Sequence, residues 1–419
     1  MNVFLRTLAA LLSLAVLAAP VAAAPGKPAP GKPAPVTILI SIDAFRADYL
    51  DRGVTPNLSA LAAGGARAVM RPSFPSKTFP NHYTLVTGLR PDRNGIVANN
   101  MVDDAIPGVT FSMSNQSAVS DRRWWDQGEP IWVTAERAGI VTGTMFWPGS
   151  EAAIHGVRPH DSPHFDISVS SLRRANILLG WFDRPPAERP RFATLYFDNV
   201  DTAGHHFGPD SAEVNAAAAE VDAAIGALHA GLRARGVVAN LVIVADHGMA
   251  AISDDRKVFI DDLLAKEAYR ALDLGPIGTI YPNPGHEAEV DKALVGEHPH
   301  LRCWRRQDIP ARFHYGQNPR VAPVFCLPQT GWELTTHAYH PVEPMNGDHG
   351  YDNMSPEMAA VFVANGPAFR HGVKLKSFDN VDVYPLLARL IGIKPRPNDG
   401  NLTDLAPALR AVRAGALTR

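Results

Sequence analysis

Thr78 and His82 stand four residues apart in PSKTFPNHYTLVTG, residues 75 to 88, close enough to meet on one helical turn. Either the hydroxyl is a nucleophile beside its base, or it caps a helix whose next residues are core. Other parts of the chain bear on the choice. Three apolar runs end in acids: VTILISI runs into Asp43, NLVIVA into Asp246, and FATLYF through Asp198 and Asn199 to Asp201. In open α/β sheets, ligands gather beyond the carboxyl ends of the strands. A single aspartate at such an end ordinarily caps a helix or a loop. Three together, two with histidine attached, form a constellation.

DTAGH puts Asp201 and His205 on the same side of one helical turn, a good arrangement for chelating a divalent ion, while His206 points elsewhere. ADHGM supplies Asp246 and His247 at a strand end, and GDHGYDN supplies Asp348 and His349 in a second glycine-bounded turn. These donors suffice for two metal ions, and zinc suits the His/carboxylate mix best. A threonine hydroxyl is a poor nucleophile at neutral pH, but coordination to Zn²⁺ lowers its pKa as it does that of bound water. Thr78 then needs no base, and His82 falls to supporting or packing duty. A serine hydrolase would want a G-x-S-x-G elbow, which this stretch lacks. Thr78 also lies near a helix N-terminus, where an anionic phosphoryl group is welcome.

The elements that position these residues read as an α/β fold. VTILISI (36–42), FATLYF (192–197), NLVIVA (240–245) and MAAVFVA (358–364) have the look of buried parallel strands, with GIVTGTMFW (139–147) a fifth. Helical patterns alternate with them. TPNLSALAAGG has Thr55 as a cap and Pro56 in its first turn, and residues 211–236 are Ala-rich and amphipathic. A late amphipathic segment covers 382–393, with Pro385 in its first turn. The expectation is a mostly parallel central sheet with helices on both faces. Residues 255–345 break the rhythm, being rich in Pro, Arg and His, and read as a smaller inserted subdomain. The core then comprises 36–254 and 346–400, followed by a C-terminal tail over 401–419.

The N-terminus reads as a signal peptide over residues 1–23: MNVFLR, then the apolar TLAALLSLAVLA, then small residues before cleavage. Residues 24–35 form a Pro-rich, extended linker with a repeated GKPAP. The chain is expected to be exported, periplasmic or secreted, with no membrane span after signal cleavage. Across 419 residues the formal charge is only −2, so no basic nucleic-acid groove is evident, and 46% hydrophobic content permits a large core. The only cysteines are Cys303 and Cys326. In an exported chain they either pair, contributing roughly 3 kcal/mol, or remain lone thiols.

The blocks SIDAFRADYL, PSKTFPNHYTLVTGLRPDRNGIVANNM, DNVDTAGHHFGP, ADHGM and GDHGYDN, in this order, resemble the nucleotide pyrophosphatase/phosphodiesterase family of the alkaline phosphatase superfamily. The resemblance spans roughly residues 36 to 400 and is to the compact bacterial form. It implies a two-zinc phosphodiesterase acting on a small-molecule nucleotide or phosphodiester. One zinc would be held by Asp43, Asp246 and His247 with Thr78 bound to it, the other by Asp201, His205 and His349. Asn99 would donate to a phosphoryl oxygen, and Phe79 and Phe165 would sandwich a base. Thr78 would attack phosphorus in line and form a phosphothreonine intermediate, releasing a nucleoside 5′-monophosphate. Two alternatives share the metal core: a phosphomonoesterase or lipid-headgroup phosphodiesterase, and a non-catalytic exported metal- or nucleotide-binding protein.

Overall fold

A computed structural model describes residues 34–339 and 344–411. The signal peptide and all but the end of the Pro-rich linker lie outside the described residues. The described residues from Pro35 onward pack as one compact unit.

Its centre is an eight-stranded sheet. In chain order the strands are β1 (Val36–Ile42), β2 (Ala66–Arg71), β3 (Thr142–Met145), β4 (Phe192–Phe197), β5 (Ala239–Val244), β6 (Ala360–Asn365), β7 (Val373–Lys374) and β8 (Phe378–Asp379). They lie side by side as β7-β2-β6-β5-β1-β4-β3, with β8 also paired to β2. β1 pairs in parallel with β4 and β5, and β3 pairs in parallel with β4. The buried apolar runs are those of strands covered on both faces, with Ile38, Leu39, Ile40 and Ile42 fully enclosed.

The run over 358–364 differs from its expected direction. β6 runs antiparallel to both β5 and β2. The physical reason is where the chain re-enters the sheet. It arrives at the edge where β1, β4 and β5 end, so the loop before β6, not after it, carries His349 to that edge. A two-residue ladder pairs Gly347 with Ala251 and Asp348 with Ala250, tying the second DHG turn to the first.

The α-helices include α1 (Pro56–Ala63), α2 (Thr78–Thr87), α3 (Ser171–Trp181), α4 (Asn199–Phe207), α5 (Ala212–Ala234) and α6 (Val383–Ile391). Ser211 caps α5 by accepting the Val214 amide at 3.1 Å. The expected cap of α1 does not form. Thr55 is buried and its hydroxyl makes no cap bond, while the carboxylate of Asp222 on α5 accepts the Asn57 and Leu58 amides at 3.1 and 2.7 Å. A charged acceptor brought by tertiary packing replaces the local neutral one.

Residues Tyr269–Pro328 include a separate antiparallel sheet of five strands. Cys303 and Cys326 stand directly opposite each other in it and form a disulfide. One face has its own apolar cluster around Ile280, Val290, Leu294 and Leu301. Phe313, Tyr315 and Phe325 instead pack on Phe74, just ahead of α2, with ring centroids 4.1 to 5.6 Å away. Among the described residues no helix is long and apolar enough to cross a membrane.

Candidate metal centre and nucleophile

The carboxyl ends of β1, β4 and β5 point to one edge because those strands are parallel. Asp43 follows β1, Asp246 follows β5, and α4 starts two residues after β4, carrying Asp201 and His205 four apart on one face. Asp43, Asp246 and His247 converge so that one donor atom from each lies within 4.8 Å of the others. Asp201, His247 and His349 converge in the same way, as do His205, Asp348 and His349. The six sequence-derived donors are therefore gathered in one place, and Asp348 borders them. Thr78 is the first residue of α2, with its Oγ1 3.3 Å from His247 Nε2.

The histidines present their acceptors inward. Nδ1 of His205 lies 2.9 Å from the Gly347 carbonyl, Nδ1 of His247 2.9 Å from that of Gly248, and Nδ1 of His349 2.8 Å from that of Ser76. A carbonyl only accepts, so each Nδ1 carries a proton and each Nε2 is the nitrogen turned toward the site. Each Nε2 faces carboxylate oxygens, which only accept. His247 Nε2 is 3.0 Å from Asp246 Oδ2 and 3.4 Å from Asp43 Oδ1, while Asp201 Oδ1 is 3.4 Å from His205 Nε2 and 3.6 Å from His349 Nε2. The same three oxygens, Asp43 Oδ1, Asp201 Oδ1 and Asp246 Oδ2, are buried with no hydrogen-bond partner. Buried acceptors aimed at one another are unfavourable unless a cation lies between them. The donor set fits two divalent ions, and its mix of imidazole and carboxylate fits zinc.

Burial works downward on the His247 imidazole, but the Asp246 carboxylate prevails and raises it, so a cation at Nε2 would displace a proton. Burial, then the charges of Asp246 and Asp201, push the Asp43 carboxyl well above its ordinary range. Burial also works upward on Asp246, but His247 and His82 prevail and hold it well below. Burial, with His247 and Lys77 behind it, keeps the His349 imidazole well below its usual pKa and neutral, as a metal ligand must be.

The supporting atoms are specific. Tyr196 donates its hydroxyl to Asp43 Oδ2 at 2.6 Å, and the Ala44 amide donates to Asp246 Oδ1 at 3.3 Å. His82 is fully buried between Ser41 Oγ (2.8 Å from Nε2) and the Thr78 carbonyl (2.9 Å from Nδ1), with Asp246 Oδ2 3.3 Å from Nδ1. It braces the site through the Thr78 carbonyl and not through the hydroxyl. Asn99 accepts the Phe79 amide at 3.0 Å through Oδ1, which turns its NH₂ away from the helix end and leaves it to donate. Phe79 packs edge-on to Phe111 and tilted on Trp125, while Phe165 packs on Phe146 and Tyr196.

Sequence reasoning passed over Lys77 and Tyr196. Lys77 Nζ lies 3.5 Å from Asp348 Oδ1, beside Thr78 and the second DHG turn. Its place directly before Thr78 was the available signal. Tyr196 was hidden inside an apolar strand, where its hydroxyl looked like part of the core.

Residues 37–352 match the model of the type I phosphodiesterase / nucleotide pyrophosphatase family. An uncharacterised pyrophosphatase/phosphodiesterase of Schizosaccharomyces pombe is 40% identical over 394 residues, covering 89% of this chain and 80% of that protein. A bis(5′-adenosyl)-triphosphatase of Xenopus laevis is 37% identical over 371 residues, covering 88% and 80%. Among solved structures, murine ectonucleotide pyrophosphatase/phosphodiesterase 5, as an inactive threonine-to-alanine variant in complex with AMP, superposes with a TM-score of 0.84. That match is 33% identical and covers 90% of this chain and 100% of the other, and the shared fold is alkaline phosphatase-like α/β with a mixed central sheet.

Proposed function

From the premise that the chain belongs to the type I phosphodiesterase / nucleotide pyrophosphatase family and is an enzyme of it, we propose that it cleaves nucleotide phosphodiester or phosphoanhydride bonds. The product is a nucleoside 5′-monophosphate, and the route is a phosphothreonine on Thr78. The observation that carries this reading is the position of Thr78 Oγ1, 3.3 Å from His247 Nε2 at the start of a helix, beside two nests of orphaned acceptors.

Asp43, Asp246, His247 and Thr78 would hold one zinc, and Asp201, His205 and His349 the other. The two ions would supply the positive charge that makes the hydroxyl acidic and offsets charge on the phosphoryl group. Thr78 Oγ1 attacks phosphorus, and its proton passes to solvent. The bond to the leaving oxygen breaks opposite the attack, and that oxygen departs with the bonding pair. Asn99 donates its amide to a non-bridging phosphoryl oxygen, and the N-terminus of α2 favours the same negative charge. Water then attacks the phosphothreonine phosphorus from the vacated side and restores the Thr78 hydroxyl. A solved relative that binds AMP, and is inactive with its threonine replaced by alanine, supports both the nucleotide and the nucleophile.

Phe79 and Phe165 offer faces for a base, and stacking tolerates any base. Export is part of the proposal. The Cys303–Cys326 disulfide supports an oxidising compartment, to which the N-terminal signal would deliver the chain. The test is release of nitrophenol from the p-nitrophenyl ester of thymidine 5′-monophosphate by zinc-loaded protein. Release no faster than that of Thr78→Ala would defeat the reading.

A further inference from the structure

Glu151 stands apart from the metal donors, yet it is only 6% exposed and both its oxygens are taken. Oε1 accepts the backbone amide of Phe165 at 2.9 Å. Oε2 lies 2.6 Å from His164 Nδ1 and also accepts from the Gln116 side chain. An enclosed carboxylate thus grips two successive residues of an irregular segment. Phe165 is 44% exposed, so burial of its ring does little to hold it.

The loop that carries Glu151 is itself tied to the reaction centre. Trp147 Nε1 donates to the carbonyl of His82 on α2 at 3.2 Å, and its ring meets the His82 imidazole edge-on at 5.0 Å. Gly149 has φ +88°, and a Cβ there would fall 2.8 Å from the ring of Trp125, so only glycine allows this approach. Trp125 in turn supports Phe79, at 5.9 Å between centroids. One short loop therefore touches the nucleophile's helix, the seat of Phe79 and, through Glu151, the backbone of Phe165. From the far side, the buried guanidinium of Arg174 lies 5.7 Å from the Phe165 ring, fixed by the carbonyls of Val169 and Tyr196 at 2.8 and 3.1 Å.

We propose that Glu151 is a positioning residue that holds Phe165 in register with Phe79, and so sets the preference for substrates that carry a planar base. This rests on the nucleotide reading above. A charged acceptor on the Phe165 amide fixes the ring before substrate arrives, so binding does not have to order it.

The test compares two substrates with the same leaving group: the p-nitrophenyl ester of thymidine 5′-monophosphate, and p-nitrophenyl methyl phosphate, which has no base. For Glu151→Ala, kcat/KM on the thymidine ester should fall about 10-fold, mostly through KM, while the methyl ester stays within about twofold. Phe165→Ala should show the same pattern, and adding Glu151→Ala to it should cause no further loss. Glu151→Gln keeps an acceptor but loses the charge and turns an NH₂ toward one partner, and should lose about threefold on the thymidine ester alone. This milder variant keeps the test open if the alanine protein does not fold. Equal losses on both substrates, unchanged rates on both, or additive losses with Phe165→Ala would overturn the role of Glu151. A wild-type enzyme with no preference for the thymidine ester would overturn the nucleotide reading as well. A wild-type preference that survives Glu151→Ala would overturn only the proposal made here.

Discussion

Asp43 stands just past the end of β1, Tyr196 lies on the adjacent parallel strand β4, and the Tyr196 hydroxyl donates to Asp43 Oδ2 at 2.6 Å. That bond uses the outer oxygen of the carboxylate and leaves Oδ1, the one facing His247, without a partner. In the proposed metal site the phenol orients a buried acid for a cation, and the strand register, with Ser41 opposite Tyr196, brings the two together. Tyr196→Phe removes this bond with little change in packing. Zinc affinity, measured by competition with a chelator, should weaken by about 10- to 100-fold, with activity recovered at excess zinc. Unchanged affinity would contradict the assigned role.

In the proposed reaction Asn99 donates to charge that grows on the phosphoryl group. Asn99→Ala should lower kcat by about 10²- to 10³-fold and leave zinc content unchanged. Steady-state kinetics beside metal analysis separate the two effects. A loss of zinc would mean that Asn99 shapes the metal site instead.

His349 faces both His205 and His247, with its ring stacked on His247 at 3.6 Å. His349→Ala should reduce bound zinc from two ions to about one per chain and lower activity by at least about 10²-fold. Elemental analysis after exhaustive dialysis reads the first, and turnover of the thymidine ester reads the second.

Asp382 is buried beneath the start of α6, and burial pushes its carboxyl up to about 6 from an ordinary 3.8. The folded state keeps a proton that the unfolded state releases, so stability falls as pH rises from about 4 to about 6 and does not return above that. Asp382→Asn retains an acceptor for the Asn401 amide, now 2.7 Å from Oδ1. Its Tm should exceed that of the wild type at pH 8 and match it at pH 4. A variant less stable at pH 8 would contradict this.

The parts of the site that could be read from the chain were those set by local pattern. Parallel strands buried on both faces are bare apolar runs, so the acids ending them at Asp43 and Asp246 stand out. Asp201 and His205 share a helical face by spacing alone. What escaped was set by tertiary approach. The direction of β6 depends on which edge the chain re-enters from, and the cap of α1 comes from Asp222, some 165 residues away in sequence. The carbonyls of Gly347, Gly248 and Ser76 that fix the histidine tautomers have no side-chain signature at all. Glu151 carries no local signal, because its partner is the backbone of Phe165, 14 residues away.

The proposed mechanism stands on two cations in the converging donors, one of them touching the Thr78 hydroxyl. Anomalous diffraction at the zinc edge from crystals of zinc-loaded protein tests it most directly. Two peaks per chain are expected. One lies among Asp43, Asp246 and His247 with Thr78 Oγ1 about 2 Å away, and the other among Asp201, His205 and His349. A single peak, or two peaks with Thr78 Oγ1 bonded to neither, would contradict it.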